Sequence, residues 1–457
     1  MTQFDHQRLT NSILQLDVEP IRRGACSDRY FENVEQTLRG ASAEGYRYGH
    51  DDAQPLVGDL EVEAQVFTRR APYALVAGVD VALALLRHAT GSYIGDAWHD
   101  TSDLLQVEAV EDGVIVPYDG HPEDVLPVLR VRGRYRDFAL LETPLLGYLT
   151  RMSRLATNTY EALKAARGKP LLFFPARFDL PAVQPADGYA YWLAVQRYNA
   201  EFGAQVTPLV STDAQGAWWG GRGVGTIPHA LIAAFMGDTA EATKAFARHI
   251  PAAAPRIALV DFNNDCVGDA VRTAAAFWQE YQRAWLADDM EGMRRWTLNG
   301  VRLDTSPNLR DVSLAEGDPG GVSPKLARLV RTALDEAWQG WGVPPELEDV
   351  ARAFCARIGI VATGGFNRDR IAQFEAEAAP ISSYGVGSSL FRNDKDTNTD
   401  FTMDVVRIKA GGAWREMAKI GRRANANPDL RPVAGPSTVP IPPSPGSVPP
   451  ARARRST

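Results

Sequence analysis

The spacing of apolar positions changes along the chain, and the changes divide it. Between residues 58 and 132 apolar and polar positions alternate. "DLEVEAQVF" (59–67) is apolar at every second residue, the pattern of a strand with one buried face. "LLQVEAV", "GVIVP" and "VLPVLRVRG" repeat it across turns, and one helical stretch, "GVDVALALLRHA" (78–89), is set among them. This part reads as a small α+β domain. From about residue 140 the period lengthens. "ETPLLGYLTRMSRLATNTYEALKAARG" is a long helix stopped by Gly168. Short continuous apolar runs then alternate with helices. The runs are "LLFFPARF" (171–178), "QVTPLVS" (205–211), "RIALVDF" (256–262), "GVRLDT" (300–305), "IGIVATGG" (358–365) and "ISSYGVG" (381–387). Runs of this kind are parallel strands buried on both faces. Six or seven such units suggest an irregular or incomplete α/β barrel beside a smaller α+β domain.

The expected division is 1–140 for the small domain and 141–400 for the barrel. "DFTMDVVRIKAGGAWREMAKIGRR" (400–423) reads as a hairpin turning at Gly411-Gly412, so that 401–426 returns to the small domain. The stretch 427–457 is rich in proline with almost no aromatics, and is expected to be disordered.

Composition narrows the classes. Of 457 residues, 45% are hydrophobic and 23% charged, with a formal net charge of -7. No basic field is present to hold nucleic acid, and the arginines of "RVRGRYR" (130–136) are expected on a solvated face. No run of about 18 apolar residues predicts a membrane span. The N-terminus lacks a basic segment followed by an apolar run, so no signal peptide is expected. Cys26, Cys266 and Cys355 lie far apart without metal-ligand spacing, which fits free thiols in a reducing cytoplasm and no cysteine-based metal site.

Candidate chemistry gathers where the barrel strands end. Arg177 follows the first run, Asp261 ends "RIALVD", Arg302 and Asp304 end "GVRLDT", Gly364-Gly365 follow "IGIVAT", and Gly385, Gly387 and Ser388 lie in "YGVGSS". Active sites of α/β barrels form at the carboxyl ends of strands, commonly with a phosphate held by the last two loops. The pattern predicts an enzyme acting on a phosphorylated small molecule. Arg302 would supply positive charge, and Asp261 and Asp304 would bind hydroxyls or a metal. In "GVGTIPHALIAAF" (223–235), Pro228 suits a first helical position and Gly237 a stop. His229 is therefore expected in the first turn of a largely buried helix.

Taken in order, "SDRYF" (27–31), "ETPLLGYL", "GTIPHAL" (225–231), "VRLDTS" (301–306), "VATGGFNRDRI" (361–371), "YGVGSSL" (384–390) and "DFTMDVV" resemble the nicotinate phosphoribosyltransferases. "ATN" (156–158) is similar to the related nicotinamide enzymes. The resemblance implies a type II phosphoribosyltransferase fold and a homodimer with shared active sites. It implies transfer of phosphoribose from phosphoribosyl pyrophosphate to nicotinate with Mg²⁺, coupled to ATP through a phosphorylated histidine that His229 matches. By the same resemblance Tyr30 would reach from the neighbouring subunit to stack on the pyridine ring. Arg177 would meet a carboxylate or phosphate, and Thr157, Thr226 and Asp261 would contact substrates. Arg302 would stabilise the leaving pyrophosphate, Asp304 would orient the ribose, and Gly364, Gly365, Gly385, Gly387 and Ser388 would cradle the 5′-phosphate. One departure concerns the base. Asp179 stands where a basic residue is common, and an anion there would repel the nicotinate carboxylate. Nicotinamide, quinolinate or a related acid therefore remains an alternative acceptor, as does a weakly active nucleotide-binding role.

Overall fold

The computed structural model describes residues 16–433, together with Leu9 and Leu14. In chain order the strands of its two large sheets are β1 (Glu61–Thr68), β2 (Gln106–Ala109), β3 (Leu129–Arg134), β4 (Leu171–Phe173), β5 (Leu209–Val210), β6 (Ile257–Leu259), β7 (Gly300–Leu303), β8 (Gly359–Ala362), β9 (Ser383–Val386), β10 (Phe401–Ala410), β11 (Ala413–Glu416) and β12 (Arg431–Pro432). The described residues form two compact units, one running up to Thr157 and resuming at Asn393, and one of Asn158–Arg392.

Each of the six apolar runs of the second unit becomes a strand of one parallel sheet, in the order β6-β7-β8-β9-β4-β5. β5 and β6 occupy the two ends and do not pair, so the sheet curls without closing. This is the incomplete α/β barrel expected from the alternating pattern. Helices cover it: Gln184–Phe202, Thr239–His249, Cys266–Leu286, Pro324–Glu336, Glu348–Ala356 and Arg368–Ala376. Four of these six starts are written into the sequence as side-chain caps. Asp238, Asp265, Ser323 and Asn367 each accept a backbone N–H three residues on. Such a cap is worth about 1 kcal/mol, and it fixes where each loop ends and each helix begins.

The first unit holds a six-stranded antiparallel sheet in the order β11-β10-β1-β3-β2-β12. β10 and β11 are the expected hairpin, and β10 pairs with β1 from Val62↔Ile408 to Thr68↔Phe401. Two expectations fail here for one reason. β1 is buried on both faces, not one, because its polar face is covered by charge-paired side chains. Glu63 accepts from Arg132 Nε at 2.7 Å and from Arg407 Nη1 at 3.2 Å. Gln65 donates to Arg423 O at 2.8 Å and accepts from Asn425 N at 3.0 Å. The arginines of 130–136 are thus not a solvated face. Arg130 pairs with Glu108, and Arg134 and Arg136 with Asp59.

The start of the proline-rich stretch is also corrected. Asn427 donates to Pro127 O at 2.9 Å, Leu430 joins the apolar core of this unit, and β12 pairs with β2. The composition of the whole stretch hid one apolar anchor and one short edge pairing. The expectation of disorder over 434–457 lies outside the described residues.

Candidate active site

Arg302 is the third residue of β7, and Asp304 follows the strand's last residue. Arg302 Nη2 donates to Asp304 Oδ2 at 2.7 Å, and its Nε donates to Thr363 Oγ1 at 3.0 Å. Thr363, one residue past the end of β8, closes the ring: its buried hydroxyl lies 2.7 Å from Asp304 Oδ1 and 3.0 Å from Leu303 O. Both charged side chains are about four-fifths buried, at 19% and 21% exposure, which strengthens the pair relative to one in water. The guanidinium plane is therefore held from two edges.

Next to this ring the chain turns through Gly364 (φ 89°) and Gly365 (φ 73°), a backbone that other residues adopt only with strain. The amides of Gly364, Gly365 and Phe366 have no acceptor among the described residues. Successive unpaired amides in such a turn form an anion-binding concavity. Ser389 Oγ donates to Phe366 O at 2.7 Å, tying this turn to the loop after β9. That loop is further held by Asn158 Nδ2, which donates to Leu390 O at 3.0 Å and Arg392 O at 3.1 Å.

These groups open onto one cavity of about 640 Å³. Arg302, Asp304 and Thr363 line it, as do Gly364 and Gly365. Gly385 contributes from β9 itself, Gly387 and Ser388 from the loop after it, and Arg177 and Thr226 from the loops after β4 and β5. A side chain at Gly385 would meet Thr363 Cγ2 at 2.5 Å, and one at Gly387 would meet Phe178 at 2.8 Å, so both glycines keep the wall thin. Arg177 has no carboxylate partner among the described residues, and its guanidinium lies 5.3 Å from the centre of the Phe178 ring. Asp179 does not line the cavity, and its Oδ1 accepts from Leu180 N at 2.7 Å.

His229 opens a six-residue helix, His229–Ala234, one residue after Ile227 and Pro228 of the cavity wall. Pro228 is the cap of this helix, not its first residue, and the helix is not largely buried: Ile232 alone is, and Met236 is 95% exposed. The apolar run is two-sided: Ile232 with Leu231 and Phe235 packs inward, while Ala230, Ala233 and Met236 face outward. His229 Nε2 lies 2.9 Å from Asp261 Oδ1, joining an imidazole 47% exposed to a carboxylate only 9% exposed. Burial raises the Asp261 carboxyl above its ordinary range, with the His229 contact opposing and the Asp304 charge adding. Asp261 thus orients His229 and does not line the cavity.

Two further residues singled out in the sequence lie in the first unit. Thr157 is buried in the first unit, where its hydroxyl donates to Ser153 O at 2.6 Å and accepts from Leu75 N at 2.9 Å. A hydroxyl so used holds a helix to its neighbour and is not a substrate contact. The informative residue of "ATN" is Asn158, one position on. Tyr30, also in the first unit, is 58% exposed on the helix Arg29–Ala43. Glu142, which begins the helix Glu142–Ala165, is pushed up to about 8 by burial and by the charges of Asp404 and Asp28. Thr363 and Arg370 were missed in the sequence. Thr363 carried a signal, a threonine between an apolar strand and a glycine pair, but threonine is common in strands. No group of three or more His, Cys, Asp or Glu placed to hold a metal occurs among the described residues. None of the described helices is long and apolar enough to cross a membrane.

Residues 51–153 match the family model of the quinolinate phosphoribosyl transferase N-terminal domain. Nicotinate phosphoribosyltransferase pncB2 of Mycobacterium tuberculosis (strain CDC 1551 / Oshkosh) is 26% identical over 320 residues, which is 70% of this chain and 53% of that protein. The chain thus spans about half the length of this curated relative. Among solved structures, nicotinate-nucleotide pyrophosphorylase from Pyrococcus furiosus superposes with a TM-score of 0.61 at 25% identity, covering 93% of this chain and 86% of that one. Human nicotinic acid phosphoribosyltransferase superposes with a TM-score of 0.51 at 17% identity, covering 85% and 76%, a likeness of fold.

Proposed function

We propose that this chain is a type II phosphoribosyltransferase and joins nicotinate to phosphoribosyl pyrophosphate, giving nicotinate mononucleotide and pyrophosphate for NAD salvage. The observation that carries this reading is the cavity itself, where the unpaired amides of Gly364–Phe366 and the Arg302–Thr363–Asp304 ring share one wall. The amides and Ser388 receive the 5′-phosphate. Asp304 orients the ribose, and Arg302 neutralises charge on the pyrophosphate as it departs. The pyridine nitrogen forms the new bond to C1 of the ribose while the C1–O bond breaks, its electron pair leaving with pyrophosphate. No proton need move. Arg177, without a carboxylate of its own, pairs with the carboxylate of nicotinate in a bidentate fork. Asp179 does not line the cavity.

Mg²⁺ fits as a passenger of the donor, because it binds through one or two carboxylates plus substrate phosphates and keeps several waters. Asp304 would be the cavity carboxylate that holds it, and the ion's charge would offset that of the pyrophosphate. Coupling to ATP runs through His229. With Asp261 ionised, Nε2 carries the ring proton and Nδ1 keeps its lone pair. Nδ1 takes the γ-phosphoryl group as its bond to ADP breaks. The active assembly is a homodimer in which Tyr30 of the partner subunit covers the base. Three unpaired thiols suit a reducing cytoplasm.

The test is Mg²⁺-dependent pyrophosphate release from phosphoribosyl pyrophosphate with nicotinate, nicotinamide and quinolinate in turn. Nicotinate alone should give rapid release, and Arg177→Ala should raise KM for it at least tenfold. Preference for quinolinate, or equal rates with nicotinamide, would assign another base.

A further inference from the structure

Beneath the Gly364-Gly365 turn lies a guanidinium that does not line the cavity. Arg370, in the helix Arg368–Ala376, sends Nη1 to Gly364 O at 2.5 Å and Nη2 to Val322 O at 2.6 Å. Its Cζ sits 4.4 Å from the centre of the Phe366 ring and 5.8 Å from that of Phe374, so the cation is laid against two aromatic faces. A side chain at Gly365 would begin 3.7 Å from Arg370 Nη1. Among the described residues no carboxylate pairs with Arg370. A partly buried cation is costly unless an anion or several acceptors meet it. Here two carbonyl oxygens take one proton each, and the net charge meets no carboxylate among the described residues.

We propose that Arg370 is the positioning residue of the phosphate subsite: it fixes the Gly364 peptide with its oxygen drawn inward, leaves the amides of Gly364–Phe366 free for an anion, and supplies the countercharge from behind the turn. The three features fit one purpose. The carbonyl of Gly364 is claimed, the following amides are not, and the charge that remains is of the sign a phosphate needs. Arg302, already paired with Asp304, is better matched to the far end of a diphosphorylated donor. This deepens the phosphoribosyl reading and rests on it in one respect, the assignment of the turn to the sugar phosphate.

Direct binding of ribose 5-phosphate and of pyrophosphate to the full chain tests both statements separately. Wild type should bind both. Arg370→Gln should weaken ribose 5-phosphate at least tenfold and leave pyrophosphate within about twofold. Arg370→Lys keeps the charge but cannot bridge both carbonyls, and should lie between. In steady-state assays the loss should fall on KM for phosphoribosyl pyrophosphate more than on kcat. If wild type does not bind ribose 5-phosphate, the reading of the turn fails. If wild type binds it and a folded Arg370→Gln or Arg370→Lys binds it equally well, the role of Arg370 is overturned. Should Arg370→Gln not fold, the lysine variant decides alone: affinity equal to wild type overturns the proposal, and a loss specific to ribose 5-phosphate upholds it. Equal losses for both ligands would make Arg370 merely structural.

Discussion

Replacing Thr363 with valine keeps the volume and the strand-compatible branching but removes one oxygen. That oxygen accepts from Arg302 Nε at 3.0 Å and lies 2.7 Å from Asp304 Oδ1. Hydrogen bonds to charged groups contribute about 1.5–3 kcal/mol each. The direct Arg302–Asp304 bond at 2.7 Å survives, and water from the cavity can serve the exposed edge of the guanidinium. The net loss should then be about 2 kcal/mol, or roughly thirtyfold in kcat/KM for phosphoribosyl pyrophosphate. Arg302 would be free to swing about its remaining bond, so the loss should fall on kcat at least as much as on KM. The assay is continuous pyrophosphate release with nicotinate, with the melting temperature recorded for each variant. Thr363→Ser, which restores the oxygen, should recover most of the rate. A folded Thr363→Val with wild-type kcat/KM would refute the claim that this ring sets the geometry of Arg302.

Arg302→Lys keeps the charge and loses the fork, and should cost about 1–3 kcal/mol in kcat/KM; unchanged kinetics would make Arg302 structural. With γ-labelled ATP the chain should gain acid-labile, base-stable label that His229→Asn lacks, and label persisting in that variant would move the acceptor elsewhere. Truncation after residue 433 should leave the melting temperature unchanged, whereas truncation after 426 removes Asn427, the Leu430 anchor and β12 and should lower it; equal melting temperatures would show that 427–433 adds nothing. Burial pushes the Glu142 carboxyl up to about 8 from its ordinary 4.5, so the native state should hold an extra proton across that window. Stability should therefore fall as pH rises from about 4.5 to about 8, by on the order of 2–4 kcal/mol after allowance for partial exposure. Glu142→Gln should remove this slope, and an unchanged profile would show that another group causes it.

The barrel was legible because its strands are buried on both faces and its helices carry their caps in the sequence, as at Asp238 with Glu241. The cavity residues followed from the rule that sites gather at strand ends. What failed did so where the local pattern is blind to the neighbour. β1 alternates like a half-exposed strand, yet Arg132, Arg407 and the 423–425 segment close over Glu63 and Gln65, contacts separated by up to hundreds of residues. The apolar run after His229 reads as core throughout, although only Leu231, Ile232 and Phe235 pack into an apolar cluster while Ala233, Ala234 and Met236 are exposed. In "ATN" a shift of one residue on a helix turns the side chain by about 100°, enough to send Thr157 inward and Asn158 to the loop after β9. Arg370 could not be read at all, since its meaning lies in the carboxylate that is not beside it.

The central claim is transfer of phosphoribose to the ring nitrogen of nicotinate, and nuclear magnetic resonance of the reaction mixture reports on it directly. With the chain, Mg²⁺, phosphoribosyl pyrophosphate, ATP and nicotinate, the phosphorus signals of the donor should give way to pyrophosphate and a single sugar phosphate. The anomeric proton of that product should correlate with the pyridine ring carbons beside nitrogen. A donor that stays intact under these conditions, or that yields ribose 5-phosphate with nicotinate unchanged, would contradict the account.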